Sequence, residues 1–312
     1  MLSRRNVRVK VMQVLYAMGR DRLPDFTRGL LSYRRQVNQS FELYLLVLLY
    51  LVEISRYALV DEKNRKVRLR PTQDDKNFRA LLATNPCIRS LIDNIGLFNK
   101  IDTCDVREKL EKDLVRRLYQ EFLKSEDYLT FLQQDNPSDA SCIAVYLGML
   151  KICLAFPHFQ EDLEDKFSQW ADDESLVIGA VKKTLKQLPL SQDFYQEYIP
   201  SEEATVEFGE FLLEKVFFKD KELIELISPN FQNWDAERVA VIDMILLKMA
   251  VAEMLHFQTI PPKVTLNEYV EISKIYSTDK SKEFINGILD RLFKQLAAEQ
   301  RISKEGRGLI DN

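Results

Sequence analysis

Apolar residues recur at three- and four-residue intervals along almost the whole chain, the period of a helix that buries one face. The densest pattern runs from Trp234 to Arg291 and predicts three helices. The first, about Glu237 to Leu255, is apolar on most sides, with Val239, Ile242, Leu246, Met249, Ala250 and Met254 as core candidates. A helix apolar nearly all round belongs in the middle of a bundle. Pro261-Pro262 then bars continuation. Thr265-Leu266-Asn267-Glu268 reads as a capping box, in which Thr265 and Glu268 satisfy each other's amides at a new helix start. The third helix carries Ile285, Ile288, Leu289, Leu292, Phe293 and Leu296 in an i, i+3, i+4, i+7 series.

Earlier in the chain, Ser3 is the expected N-cap of an opening helix whose core stripe is Val7, Val11, Val14, Leu15 and Met18. Arg5, Arg8, Met12 and Tyr16 project onto a flank beside that stripe, and Lys10 points elsewhere. A second long helix is expected over about Ser32 to Leu59. Its apolar run from Leu43 to Val52 is about ten residues, too short to cross a bilayer, and reads as a buried core helix. A basic, irregular segment follows, Lys63 to Pro71. Helical patterns then appear at about 75–84, 88–98, 105–125, 139–156, 160–171 and 174–188, broken by Pro86, Asn136-Pro137, Pro157 and Pro189. Further helices are expected near 202–218 and 220–227, and the last fifteen residues read as a frayed tail. No strand pattern competes, and nine glycines and ten prolines in 312 residues are few, so the fold class is all-α.

Composition narrows the chemistry. A formal net charge of −4 argues weakly against a nucleic-acid binder, so the distribution of charge decides. The four cysteines (Cys87, Cys104, Cys142, Cys153) show no CxxC spacing and no nearby histidine pair. No metal or redox site is expected, and the cysteines read as reduced thiols of a cytoplasmic protein. No apolar segment and cleavage site follow the basic first ten residues, so no leader is expected. There is no glycine-rich phosphate loop and no nucleophile elbow, and the two histidines, His158 and His256, stand apart from any acid or nucleophile. The acids at Glu161-Asp162 and Glu164-Asp165 read as a solvated helix face. No catalytic residue and no cofactor are expected.

Binding has more support. Arg4, Arg5 and Arg8 gather positive charge at the N-terminal end of the opening helix, where the macrodipole favours anions. Helix stability does not explain that placement; a bound phosphate backbone would, and a merely solvated terminus is the plain alternative. On the last long helix Lys280, Phe284, Gly287 and Arg291 share one face away from the Ile288–Leu292 stripe. Phe284 is therefore expected at the edge of the core or outside it. A basic face with one aromatic suits single-stranded RNA, since base stacking on such a ring is worth about 1–3 kcal/mol per base. Alternatively Phe284 packs under a neighbouring helix and Gly287 permits close packing. Glu253, an acid in a nearly all-apolar helix, must be paired if buried and reads as a structural acceptor.

Two separated stretches carry a family resemblance. Ile260-Pro261, Lys263-Val264, Asn267-Glu268, Ser281 and Phe284-Ile285-Asn286-Gly287-Ile288-Leu289-Asp290 resemble the C-terminal signature of NusB. Arg4-Arg5, Arg8 and Gln13-Val14-Leu15-Tyr16 are similar to that family's arginine-rich opening helix. The resemblance covers about a third of the chain and implies a NusB-like helical bundle of two packed subdomains. Here the bundle would be enlarged by an inserted helical region: residues 1–59 as the N-terminal part, 60–190 as the insertion, 191–297 as the C-terminal subdomain and 298–312 as a flexible tail. It also implies a non-enzymatic, cytoplasmic transcription antitermination factor with no membrane association. Such a factor pairs with the small-subunit ribosomal protein NusE, binds boxA-type RNA and joins the RNA polymerase antitermination complex, chiefly on ribosomal RNA operons. Carried over by position, the RNA contacts are Arg4, Arg5, Arg8, Tyr16, Ser281 and Phe284, joined by Lys280 from the basic helix face, and Asp243 matches an acidic position of the partner surface. Asn6 departs from the arginine run, Lys280 stands where an acid is common, and Ser277 replaces a frequent glycine. The insertion could cover the surface of a family homodimer or add an RNA contact through Arg65–Arg70. A NusB-type module of an RNA methyltransferase would need a glycine-rich cofactor site, and none is present in the chain. A protein-interaction scaffold of NusB fold without RNA binding is the remaining alternative.

Overall fold

The computed structural model describes residues 1–134, 136–231 and 239–309. They form helices and turns, with no strand among the described residues. The expected helix start at Glu237 lies outside them. The chain folds as two compact units, one of Met1 with Asn38–Ile199 and one of Leu2–Val37 with Pro200–Asn312.

The first unit is built on the apolar run at Leu43–Val52, every residue of which is at most 1% exposed. It lies in a helix, Phe26–Lys66, longer than its pattern suggested at both ends. Lys63, Arg65 and Lys66 occupy the last turn, where cations oppose the negative end of the dipole, and Arg65–Asp61 and Lys66–Glu62 pair one turn apart. Four of the nine residues expected to be irregular are therefore helical. By length and composition this helix could cross a membrane, but 72% of its most apolar 18-residue window is buried inside the protein. Ile88, Leu91, Leu118, Tyr146, Phe159 and Trp170 close around it. Two of its buried hydroxyls are matched: Ser40 donates to Asp173 at 2.6 Å and Tyr50 to Asp162 at 2.7 Å. Several broad helical patterns resolve into shorter helices because a polar side chain restarts the ladder. Asn85 caps Pro86–Ile92, Asn94 caps Ile95–Thr103 and Ser125 caps Glu126–Leu132.

The second unit surrounds the central helix Val241–His256, in which Ile245–Leu247 and Met249–Met254 are all buried. Around it stand the opening helix Arg4–Met18, the helix Pro262–Tyr276 and the last long helix Ser281–Ala298. Ser3 caps the opening helix as expected, and its capping-box partner is Asn6, the residue that seemed to interrupt the arginines. The capping box expected at Thr265–Glu268 does not form. That helix begins four residues earlier, with Pro261 as its N-cap and Pro262 in its first turn, where a missing amide hydrogen is harmless. Residues Glu203–Glu210 are wound as a π-helix that continues as α to Phe218. Within it the Thr205 carbonyl accepts from the Tyr33 hydroxyl at 2.9 Å, and Gly209 meets Tyr33 and Val7 with no room for a side chain. The chain beyond Ala298, expected to fray, is tied down at Lys304 and Glu305, which donate to the Phe257 and Gln258 carbonyls.

Candidate nucleic-acid interface

The opening helix sends its three arginines in different directions. Arg8 turns inward: its guanidinium is 3% exposed and donates through Nε and Nη2 to the fully buried Glu253 carboxylate at 2.8 and 2.7 Å. Thr265 and Tyr269 add hydroxyl donors to the same carboxylate at 2.8 and 3.0 Å, so Glu253 is the paired acceptor its sequence context required. Burial alone would depress the Arg8 guanidinium, but its bonds to Glu253 outweigh that and hold it above its ordinary value. Arg8, expected as an RNA contact, is thus enclosed. The one-residue offset from the Val7 and Val11 stripe carries it into the core instead of along the flank.

Arg4 and Arg5 stay at the surface. Arg5 is about half exposed and grips Glu268 with Nε and Nη2 at 2.8 and 2.7 Å. That bond holds the Glu268 carboxyl below its usual range, and Arg8 Nη1 reaches the same carboxylate at 3.5 Å. Arg4 pairs with Glu203 at 3.0 Å, and its guanidinium lies 5.7 Å from the centre of the Phe208 ring. Tyr16, half-buried, bonds Arg20, whose guanidinium lies over its ring. Glu271, one turn beyond Glu268, is held low first by its bond to Lys274 and then by the fields of Lys274, Arg5 and Lys282. The start of the opening helix and the start of the last helix therefore face one acidic edge of Pro262–Tyr276.

The remaining expected contacts divide. Lys280 is exposed at the N-cap of the last helix. Ser281 is buried and donates to Asp243 at 2.7 Å; Ser277 donates to the other oxygen at 2.6 Å, and the Thr278 hydroxyl lies 2.8 Å from Ser281. Asp243, expected at a partner surface, is 4% exposed and serves as the acceptor of this hydroxyl cluster. Ser277 in place of glycine supplies one of its donors. Phe284, expected at the edge of the core or outside it, is 5% exposed because the turn at Asn230-Phe231 covers it, with the two rings 5.9 Å apart. Gly287 is exposed with open space beside it, so it permits no close packing. Sequence reasoning gave the surface carboxylate Glu268 a capping role and missed Glu271. The sign available was an acid one turn from another, opposite a pair of arginines.

At the end of the central helix, His256 is half-buried and its Nε2 has no hydrogen-bond partner among the described residues. Burial first, then the fields of Lys219 and Lys215, hold its imidazole below its ordinary 6.5. The unfolded chain therefore takes up that proton first as pH falls, and the stability present above 6.5 is lost on acidification through the folded value. Melting temperatures measured from about pH 7.5 down to about pH 5.5 should fall less steeply for His256→Phe than for wild type.

The family model described as "NusB family" matches residues 169–294. Transcription antitermination protein NusB of Salinibacter ruber is 40% identical over 126 residues, which is 40% of this chain and 73% of that protein. NusB of Chloroherpeton thalassium is 47% identical over 85 residues (27% of this chain, 40% of that protein), and NusB of Oleidesulfovibrio alaskensis 46% over 87 (28% and 56%). The chain thus spans about two fifths to three quarters of the length of these relatives. No solved structure matches it. With a relative of this identity covered over most of its length, the chain belongs to the NusB family.

Proposed function

We propose that this protein is a cytoplasmic transcription antitermination factor that binds boxA-type single-stranded RNA together with NusE. In that reading it works in the RNA polymerase antitermination complex, supports read-through and ribosomal RNA transcription, and binds without catalysing a reaction. Residues 60–190 are taken as a helical insertion in a family core made from 1–59 and 191–297. The observation that carries the reading is the pair of surface guanidiniums, Arg4 and Arg5, at the positive end of the opening helix. Their placement works against the macrodipole, a conflict that Glu203 and Glu268 offset in part and that a bound anion would offset further. Lys280 and Lys282 extend the cationic surface at the start of the last helix. Arg8, Ser281 and Phe284 support that surface from within, and Tyr16 flanks it through Arg20.

The test is titration of a fluorescent boxA-type RNA, with and without NusE, against wild type and Arg4→Ala/Arg5→Ala. The variant is expected to bind about tenfold more weakly, with a log–log salt slope shallower by about 1.4, from about 0.7 per lost phosphate contact on a single strand. A second reading, a scaffold of NusB fold without RNA binding, is favoured by the carboxylates Glu203 and Glu268 that already neutralise Arg4 and Arg5. Wild type that binds NusE and never RNA would select it.

A further inference from the structure

Four charged groups alternate in sign from the interior of the second unit to its surface: Glu253, Arg8, Glu268 and Arg5. The inner pair is buried, Glu268 is 20% exposed and Arg5 is 52% exposed. A guanidinium has five N–H donors. Glu268 takes two from Arg5, the Nε hydrogen and one on Nη2, and leaves the three outer hydrogens on Nη1 and Nη2. Two of them, one on each Nη, form an end-on fork of the kind that meets two oxygens of one phosphate.

We propose that Glu268 is a positioning residue for RNA binding: it clamps the inner edge of Arg5 so that the outer edge is presented, already ordered, to a backbone phosphate. The inference rests on the RNA-binding reading above and adds to it a residue that never touches RNA. Arginine has much rotamer freedom, and ordering it on folding removes that loss from the binding step. Glu268 is itself held from behind by Arg8, whose own position is set by the buried Glu253. Arg5 therefore hangs from a chain of contacts anchored in the core.

The sign of the effect separates this role from plain electrostatics. Removing a carboxylate from a surface that attracts RNA should strengthen binding through the general field. Removing a clamp should weaken it. The experiment titrates one fluorescent single-stranded RNA against wild type, Glu268→Gln, Glu268→Asp, Glu271→Gln, Arg5→Ala and Arg5→Ala/Glu268→Gln, with circular dichroism confirming that each is folded. Glu268→Gln should bind about fivefold more weakly, a coupling within the range of directly contacting groups. Glu268→Asp keeps the charge but withdraws it by one methylene, and should weaken binding as well. Glu271→Gln, which removes charge without touching Arg5, should bind at least as tightly as wild type. In the Arg5→Ala background, Glu268→Gln should change nothing further, whereas a merely structural role would give the same loss in both backgrounds. Tighter binding by Glu268→Gln, or equal losses with and without Arg5, would overturn the proposal while leaving the RNA-binding reading intact. Absence of RNA binding by wild type would remove both.

Discussion

Replacing Arg8 with alanine is expected to remove about 3–5 kcal/mol of stability, the range seen when one partner of a buried ion pair is deleted. The carboxylate left behind is fully buried, and the two hydroxyls of Thr265 and Tyr269 cannot replace a charge-assisted pair of bonds. In a unit of roughly 150 residues such a loss lowers the melting temperature by on the order of 10 °C. Urea and thermal unfolding followed by circular dichroism would measure it. Arg8→Met/Glu253→Leu should be more stable than Arg8→Ala, because neither charge then remains to be desolvated. Recovery should stop short of wild type, since Thr265 and Tyr269 lose their acceptor. A loss under about 1 kcal/mol would mean that water reaches Glu253 and that the pair is not a core element.

Gly209→Ala should be nearly as damaging. A Cβ at this position would lie 1.8 Å from the Tyr33 hydroxyl oxygen and 2.6 Å from Val7 Cγ1. Both neighbours are buried, at 1% and 0% exposure. Overpacking typically costs about 1–3 kcal/mol. Displacing Tyr33 also breaks its bond to Thr205, worth about 1 kcal/mol. A total of about 3 kcal/mol is expected in the same unfolding assay. Tyr33→Phe/Gly209→Ala offers the internal control: deleting the hydroxyl relieves the closest contact, so the pair should be more stable than Gly209→Ala alone. Destabilisation that Tyr33→Phe fails to relieve would place the clash on Val7 Cγ1 at 2.6 Å and the ring carbon Cζ of residue 33 at 2.7 Å, not on the hydroxyl.

Much of the helical layout was legible because burial on one side of a helix writes its period into the sequence. The core of the opening, central and last helices follows that period at Val7, Val11, Leu246, Met249, Ile288 and Leu292. Helix ends were less legible, because they depend on single polar groups with several competing uses. Thr265 and Glu268 fit a capping box by spacing, yet one bonds Glu253 and the other Arg5. The site was legible as a cluster of arginines and only partly as a surface. Helix projection places a residue around its own axis and says nothing about what the rest of the chain lays over it. Phe284 projects away from the Ile288 stripe, yet the Asn230-Phe231 turn, more than fifty positions earlier, covers it. Asp243 similarly matches an acidic position of a partner surface by resemblance, yet the hydroxyls of Ser277 and Ser281 close on it.

The Ser3–Asn6 box has a further consequence, which is angular. Reciprocal bonds at residues 3 and 6 set where the first helical turn begins. Arg4 and Arg5 are the first two residues inside that start, so the box indexes their directions to the Val7 and Val11 stripe that fixes the helix against its neighbours. Residues added before Ser3 leave this index untouched. Deleting Asn6 would turn both guanidiniums by about 100° relative to the stripe, away from Glu203 and Glu268. The interruption in the arginine run thus acts as the zero mark from which the bearing of both surface arginines is measured.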